Sequence, residues 1–266
     1  MESNSTPRYG SMRPLLLAGG KSTRMGSPKH LLSLPDGQLL YLHLAKTLHT
    51  ACPDSGTVFI SLAHDSILDH SLRTATEQGR SILSPGDLQP SDRLVTLNEH
   101  DAPHLKVLMD KGKDTRQEST GPAAGLLAAH RAYPDVTWLI LACDFPFCTT
   151  ELLHQLQSEY QPPVTCFRND KGFIEPLLAI WSPEALRRLE HNTANGKSSP
   201  SAVVRQLSGL VLALPRQTRF NEDGEPEFTD GLEKLSPLFN VNTKEEWETG
   251  SGADTKAVLR HWVAFH

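Results

Sequence analysis

The sequence predicts an α/β protein: a mostly parallel sheet covered by helices, in a single domain with surface inserts. Three observations carry that expectation. Short leucine-rich or β-branched runs alternate with amphipathic stretches, the pattern that gives parallel strands joined by covering helices. The first run, LLLAGG at 15–20, stops at two glycines, and the most strongly strand-like run, VTWLILACD at 136–144, ends on an acid. At 266 residues the chain can bury a substantial core, and one domain with a lobe fits that length better than two full domains.

In chain order, residues 1–13 (MESNSTPRYGSMR) are polar and without an apolar signal segment, so they read as a disordered tail ahead of a catalytic domain at 14–266. LLLAGG is the first buried strand. Leu40, Leu44, Leu48 and Ala51 recur at helical spacing, predicting a helix over 38–51 with one face on the sheet. TVFISLA (57–63) is a second strand, and LKVLM, ending at Asp110, is another strand-like run. Residues 71–104, containing SPGDLQPSD, are rich in turn formers and read as a surface insert. GPAAGLLAAHRAY (121–133) predicts a helix with Pro122 at its first position and small residues for close approach to the sheet. VTWLILACD follows as a strand, and Thr149 or Thr150 ahead of Glu151 and Leu152 starts the next helix. VTCFRN (164–169), PLLAIW (176–181), a helix from Pro183 and the strand LVLAL (210–214) continue the alternation. A second insert is expected at 215–237. A last covering helix is expected in ADTKAVLRHWVAFH, where Ala257, Val258, Leu259, Trp262 and Val263 share a side.

Composition narrows the function. A net charge of −5 and few aromatic residues argue against a nucleic-acid polymer as partner. No run approaches the ~20 apolar residues of a membrane span. Four cysteines form no C-x-x-C pair, which predicts reduced, buried thiols and a cytoplasmic protein. The twelve histidines form no H-E-x-x-H pair, so zinc is not expected, and the absence of G-x-S-x-G leaves serine-hydrolase chemistry without an anchor. Nothing in the pattern specifies an oligomeric state.

The stretch PLLLAGGKSTRMGSPKHLL (14–32) carries the chemistry. It is not a P-loop, because Leu15 stands where the first glycine of G-x-x-x-x-G-K-[ST] would be, and G-x-G-x-x-G fails as well. Glycines at the carboxyl end of a parallel strand still aim backbone N–H groups into an anion-attracting concavity. Lys21, Arg24 and Lys29 surround that concavity with positive charge, which suits a triphosphate. Asp144 ends its strand on the same sheet edge and can hold Mg²⁺ against the phosphates; the competing reading is a turn or helix cap. Asn240 and Asn242 flank Val241 ahead of a Thr243-x-x-Glu246 capping box. They either end a strand and start a helix or supply an amide oxygen to the metal, with Asn242 favoured over Asn240. Asp110 reads from its position alone as a surface turn acid.

These residues carry a family resemblance. LAGGKSTRMGSPKHLL resembles the L-A-G-G-x-S-x-R-M-G-x-x-K signature of the MobA-like nucleotidyltransferases, the family of molybdenum cofactor guanylyltransferase. VLMDKGKDTRQESTGPAAGLLAA resembles that family's strand-Asp followed by Gly-Pro-x-x-Gly, WLILACDFPF its strand with C-D-x-P, EPLLAIW its H-P-L segment and NVNTKEEW its terminal N-x-N-T motif. Together they cover most of residues 14–248. The resemblance implies a Rossmann-like (GT-A type) fold. It also implies nucleotide contacts from Leu17, Ala18, Gly19, Gly20, Lys21 and Ser22, from Asp110 on the base, and from Gly121, Pro122 and Gly125. Catalytic roles fall to Arg24, Lys29 and Asp144, and Mg²⁺ to Asp144 with Asn242 or Asn240. The implied reaction moves an NMP, with GTP favoured as donor, onto a phosphorylated acceptor such as molybdopterin and releases pyrophosphate.

Two departures and one match bear on substrate choice. Ser27-Pro28 precede Lys29 where the guanylyltransferases commonly have an aspartate, which is closer to cytidylyl- and sugar-1-phosphate nucleotidyltransferases. Gly19-Gly20 matches the GTP-using branch, and Glu175 stands where a histidine is usual. A GT-A glycosyltransferase would carry D-x-D where this strand ends Asp144-Phe145-Pro146, and a non-catalytic nucleotide-binding regulatory protein would not be expected to keep Arg24, Lys29 and Asp144 together.

Overall fold

The computed structural model describes residues 12–19, 28–34, 36–63, 66–70, 72, 81–82, 93–97, 103–110, 121–214, 219–220 and 226–227, with Leu238, Val241 and Trp247. The elements are β1 (Met12–Leu17), α1 (Leu40–Ala51), β2 (Thr57–Leu62), β3 (Ser81–Ile82), β4 (Arg93–Leu97), β5 (His104–Met109), α2 (Pro122–Ala132), β6 (Thr137–Ala142), α3 (Thr150–Ser158), β7 (Val164–Arg168), β8 (Ile174–Trp181), α4 (Pro183–Ala194), α5 (Pro200–Gln206) and β9 (Leu210–Ala213). These nine strands form one sheet in the order β3-β4-β5-β2-β1-β6-β8-β7-β9.

The core strands β5, β2, β1 and β6 are mutually parallel, with Leu17 level with both Ser61 and Ala142 and Leu62 level with Met109. Only β4 and β8 run against the rest, because β8 returns from β7 through a short hairpin and β4 folds back on β5. The step from β1 to β2 moves one way across the sheet and the step from β5 to β6 moves the other. Right-handed crossovers therefore set α1 and α2 on opposite faces. α1 packs on α3, while α2 packs on α4 and α4 on α5. With both faces covered, β1 and β6 are apolar without alternation: Leu15, Leu16, Leu139, Ile140 and Leu141 are fully buried.

Local sequence explains the helix starts. The side chains of Thr149, Ser182 and Ser199 accept hydrogen bonds from the backbone N–H groups of Leu152, Ala185 and Ala202, capping α3, α4 and α5. Thr149, rather than Thr150, is the cap. Gly121 precedes α2 at φ 61° and ψ −138°, a conformation that a side chain would strain.

Several expectations need correction. β1 begins at Met12, inside the segment assigned to the tail, because Met12 pairs with Thr137 and the Arg13 guanidinium lies over the rings of Phe59 and Tyr133. Residues 71–104 are more than a surface insert: β4 pairs antiparallel with β5 (Val95 with Leu105) and β3 with β4, extending the main sheet. The run RLVTL had strand composition, and the turn formers around it masked that signal. Within 215–237, Arg219–Phe220 pairs antiparallel with Pro226–Glu227. α5 was not anticipated, although Ser199-Pro200 is a helix-start signal. The tail before Met12 and the helix expected in the last fourteen residues lie outside the described residues.

Candidate active site

The carboxyl ends of β1, β2, β5 and β6 meet at one sheet edge, and the chain continues the ladder a residue or so past each strand. Ala18 N–H donates to the Ser61 carbonyl (3.0 Å), Asp110 N–H to the Leu62 carbonyl (2.9 Å) and Cys143 N–H to the Leu17 carbonyl (3.1 Å). Those bonds fix the backbones from which Gly19, Asp110 and Asp144 depart. Open α/β sheets bind ligands in the crevice at this edge.

The centre of the edge is an ion pair. Lys29 Nζ lies 2.5 Å from Asp144 Oδ1, with Lys29 13% and Asp144 33% exposed. Lys29 arrives on a short helical turn, Lys29–Leu31, in which Leu31 N–H donates to the Pro28 carbonyl and Leu32 N–H to the Lys29 carbonyl. The neighbouring His30 is buried. Burial lowers its pKa to about 4, opposed by a hydrogen bond to the Ala18 backbone carbonyl, so the ring is neutral at physiological pH.

Asp110 forms a second polar centre. It is buried, Ser61 Oγ donates to its Oδ1 (2.8 Å), and burial raises its pKa against the pull of that bond and of Arg131. A Cβ on Gly19 would sit 3.1 Å from Asp110 Oδ2 and 3.1 Å from the Ala63 nitrogen, so the bare glycine lets the loop pass over this carboxyl. Gly125 serves packing beneath the site, since a Cβ there would come within 2.8 Å of both Leu17 Cδ2 and Ser61 Oγ.

Two further groups border Asp144. Val241, between Asn240 and Asn242 in sequence, donates its N–H to the Asp144 carbonyl at 3.0 Å. Glu175 is half-buried and accepts from Asn169 Nδ2 (2.6 Å); burial raises its pKa, the Asn169 bond opposes that rise, and the Asp144 charge adds to it. The carboxylate of Asp144 is a hard oxygen donor of the type Mg²⁺ accepts, which fits that metal. Among the described residues no three His, Cys, Asp or Glu side chains converge as a metal site.

The sequence candidates thus fall into groups. The structure brings Lys29 onto Asp144, Gly19 onto Asp110, and Leu17 onto Gly125, with Ala18 at the same edge and Gly121-Pro122 opening α2. Gly20, Lys21, Ser22, Arg24, Asn240 and Asn242 lie outside the described residues. Ser61, His30 and Asn169 were not anticipated. Ser61 alone carried a signal, as a polar residue in an otherwise apolar buried strand. All four cysteines are free and buried, as expected.

The family model of the MobA-like NTP transferase domain matches residues 14–210. The chain is 32% identical over 250 residues to the molybdenum cofactor biosynthesis bifunctional protein of Synechocystis sp., covering 92% of this chain and 54% of that protein, so it spans about half the length of that relative. It is 27% identical over 235 residues to the molybdenum cofactor guanylyltransferase of Pseudomonas fluorescens, covering 87% of this chain and 89% of that one. The crystal structure of molybdopterin-guanine dinucleotide biosynthesis protein A from Archaeoglobus fulgidus superposes with a TM-score of 0.57 at 18% identity, over 92% of this chain and 100% of that one, which shows the same fold. The family model over most of the chain and the 32% identical relative together show that this chain belongs to the MobA-like NTP transferase family of nucleotidyltransferases.

Proposed function

We propose that the chain transfers GMP from GTP to a phosphorylated acceptor, molybdopterin, with Mg²⁺ and with release of pyrophosphate. The observation that carries the reading is the Lys29–Asp144 pair at the carboxyl edge of β1 and β6. An acceptor phosphate oxygen attacks the α-phosphorus of GTP in line; a P–O bond forms, the bond to the bridging oxygen breaks, and its electron pair leaves with pyrophosphate. The nucleophile is already anionic at neutral pH, so no general base is required. What the site must do is bring two anions together.

Lys29 does this by exchanging Asp144 for a phosphate oxygen, assisted by Arg24, Lys21, Ser22 and the amides of Gly19 and Gly20. Asp144, with Asn242 or else Asn240, would hold Mg²⁺, which when bound supplies Lewis-acid neutralisation of the triphosphate. Asp110 accepts from the N1 and N2 donors of guanine, with Leu17, Ala18, Gly121, Pro122 and Gly125 shaping the nucleotide's bed. Leu238, Val241 and Trp247 are buried with the main core, which supports a catalytic domain continuing beyond residue 210 towards the carboxyl terminus. Buried free thiols suit a cytoplasmic setting, and no helix among the described residues is long and apolar enough to cross a membrane.

Ser27-Pro28 before Lys29 favours a second reading, a cytidylyl- or sugar-1-phosphate nucleotidyltransferase. Pyrophosphate release measured with GTP, CTP, ATP and UTP in turn, with Mg²⁺, against molybdopterin and a set of sugar 1-phosphates, decides between them. Release from GTP with molybdopterin is the expected result. Turnover only with CTP or only with sugar phosphates selects the second reading, and tight GTP binding without pyrophosphate from any acceptor overturns both.

A further inference from the structure

Two strands beyond β6, a cavity that the transfer chemistry leaves unused opens at the same sheet edge beside Arg168 and Phe173 and runs along the β9 flank to Ser208 and Gly209, which precede β9 and lie level with the start of β7. Its volume is about 420 Å³, and its lining includes Arg168, Phe173, Ser201, Arg205 and Ser208. β6 and β7 both run antiparallel to the intervening β8, so Arg168, the last residue of β7, emerges at the edge where Asp144 follows β6. Two interstrand spacings, roughly 10 Å, separate those strands. Asp110 lies on the other flank, two strands from β1 at the end of β5. A nucleotide whose base reaches Asp110 and whose phosphates reach Lys29 therefore leaves the β7 flank, with the mouth of the cavity, to the acceptor.

The lining has a defined chemistry. It contains two guanidinium groups and no acid, in a chain of net charge −5. Phe173 is 68% exposed, one of two exposed large apolar side chains among the described residues. It is held there by a pinned turn: Phe173 N–H and Lys171 N–H donate to Asn169 Oδ1, Asn169 N–H to the Phe173 carbonyl and Gly172 N–H to the Asn169 carbonyl. Ser208, on the facing wall, is the one non-glycine residue with positive φ (51°) among the described residues, and such strain persists where surroundings over-determine it.

We propose that this cavity binds a planar heteroaromatic ring with acceptor atoms on its edge, the part of the acceptor substrate distal to its reacting phosphate. Phe173 stacks on the ring, and Arg168 and Arg205 donate to its oxygen and nitrogen acceptors. The identity of the ring as the acceptor's rests on the transfer reading above. A second nucleotide offers the same chemistry, and the test separates the two.

The test uses the full chain and the variants Arg205→Ala and Phe173→Leu, both altering side chains outside the nucleotide and Mg²⁺ machinery. Steady-state KM is measured for molybdopterin and for GTP, and molybdopterin alone is titrated by its pterin fluorescence. Arg205→Ala should raise the molybdopterin KM and Kd about tenfold or more and Phe173→Leu several-fold, with GTP KM within about twofold and an unchanged melting temperature. Unchanged molybdopterin KM and Kd in both variants would overturn the inference while leaving the transfer reading intact if the wild type turns over. A rise in GTP KM without one for molybdopterin would also overturn it, assigning the cavity to a nucleotide. An Arg205-sensitive molybdopterin Kd in a chain that releases no pyrophosphate would support the cavity and discard the transfer reading.

Discussion

Replacing Lys29 by methionine keeps most of the aliphatic stem and deletes the charge. In the free protein this leaves the Asp144 carboxylate, one-third exposed, without its partner, and solvent screening limits the stability loss to about 1 kcal/mol. In the transition state the same ammonium faces developing charge on the phosphates. At an effective dielectric of about 20 and a separation of about 4 Å, one such charge pair is worth roughly 4 kcal/mol. At about 1.4 kcal/mol per decade that is close to a thousandfold in rate. Single-turnover pyrophosphate release at saturating GTP and acceptor should therefore fall by about 10³ while the melting temperature shifts by only a few degrees. A Lys29→Met enzyme that retains turnover within tenfold of wild type would show that the ammonium does not face the phosphates, and its contact with Asp144 would be structural only.

Other outcomes follow from the same geometry. Asp110→Asn removes an acceptor for guanine's donors and should lower kcat/KM for GTP about 30- to 150-fold, as expected for a loss of 2–3 kcal/mol, with little change for ATP; competition between the two nucleotides measures it. Gly125→Val places side-chain carbon against Leu17 and Ser61 and should destabilise the fold by about 1–3 kcal/mol in urea titrations. His30 adds a pH dependence. Its folded pKa of about 4 lies below the ordinary value of 6.5, so the unfolded chain binds more protons between those values. The associated stability is complete above about pH 6.5 and is lost as pH falls towards 4, amounting to about 3 kcal/mol at most. Urea unfolding at several pH values should show a shallower acid loss in His30→Gln than in wild type, and equal slopes would contradict this assignment.

Legibility from sequence followed how local each signal was. β1, β2, β5 and β6 could be read because their runs are dominated by leucine and β-branched residues, and the sheet edge followed from the glycines and the acid that end β1 and β6. β4 was hidden because its five residues sit among turn formers and its identity depends on pairing with β5. Lys29 and Asp144, 115 residues apart, could be named by charge and position without being seen as partners. The contacts of Ser61 with Asp110 and Val241 with Asp144 are long-range hydrogen bonds that no periodicity encodes.

The most direct measurement is a crystal structure of the chain with Mg²⁺ and a non-hydrolysable GTP analogue. The expected complex has an Asp144 oxygen about 2.1 Å from the metal, Lys29 Nζ transferred to a phosphate oxygen, and the guanine edge against Asp110. A nucleotide bound elsewhere, with the Lys29–Asp144 contact still closed, would contradict the proposed site.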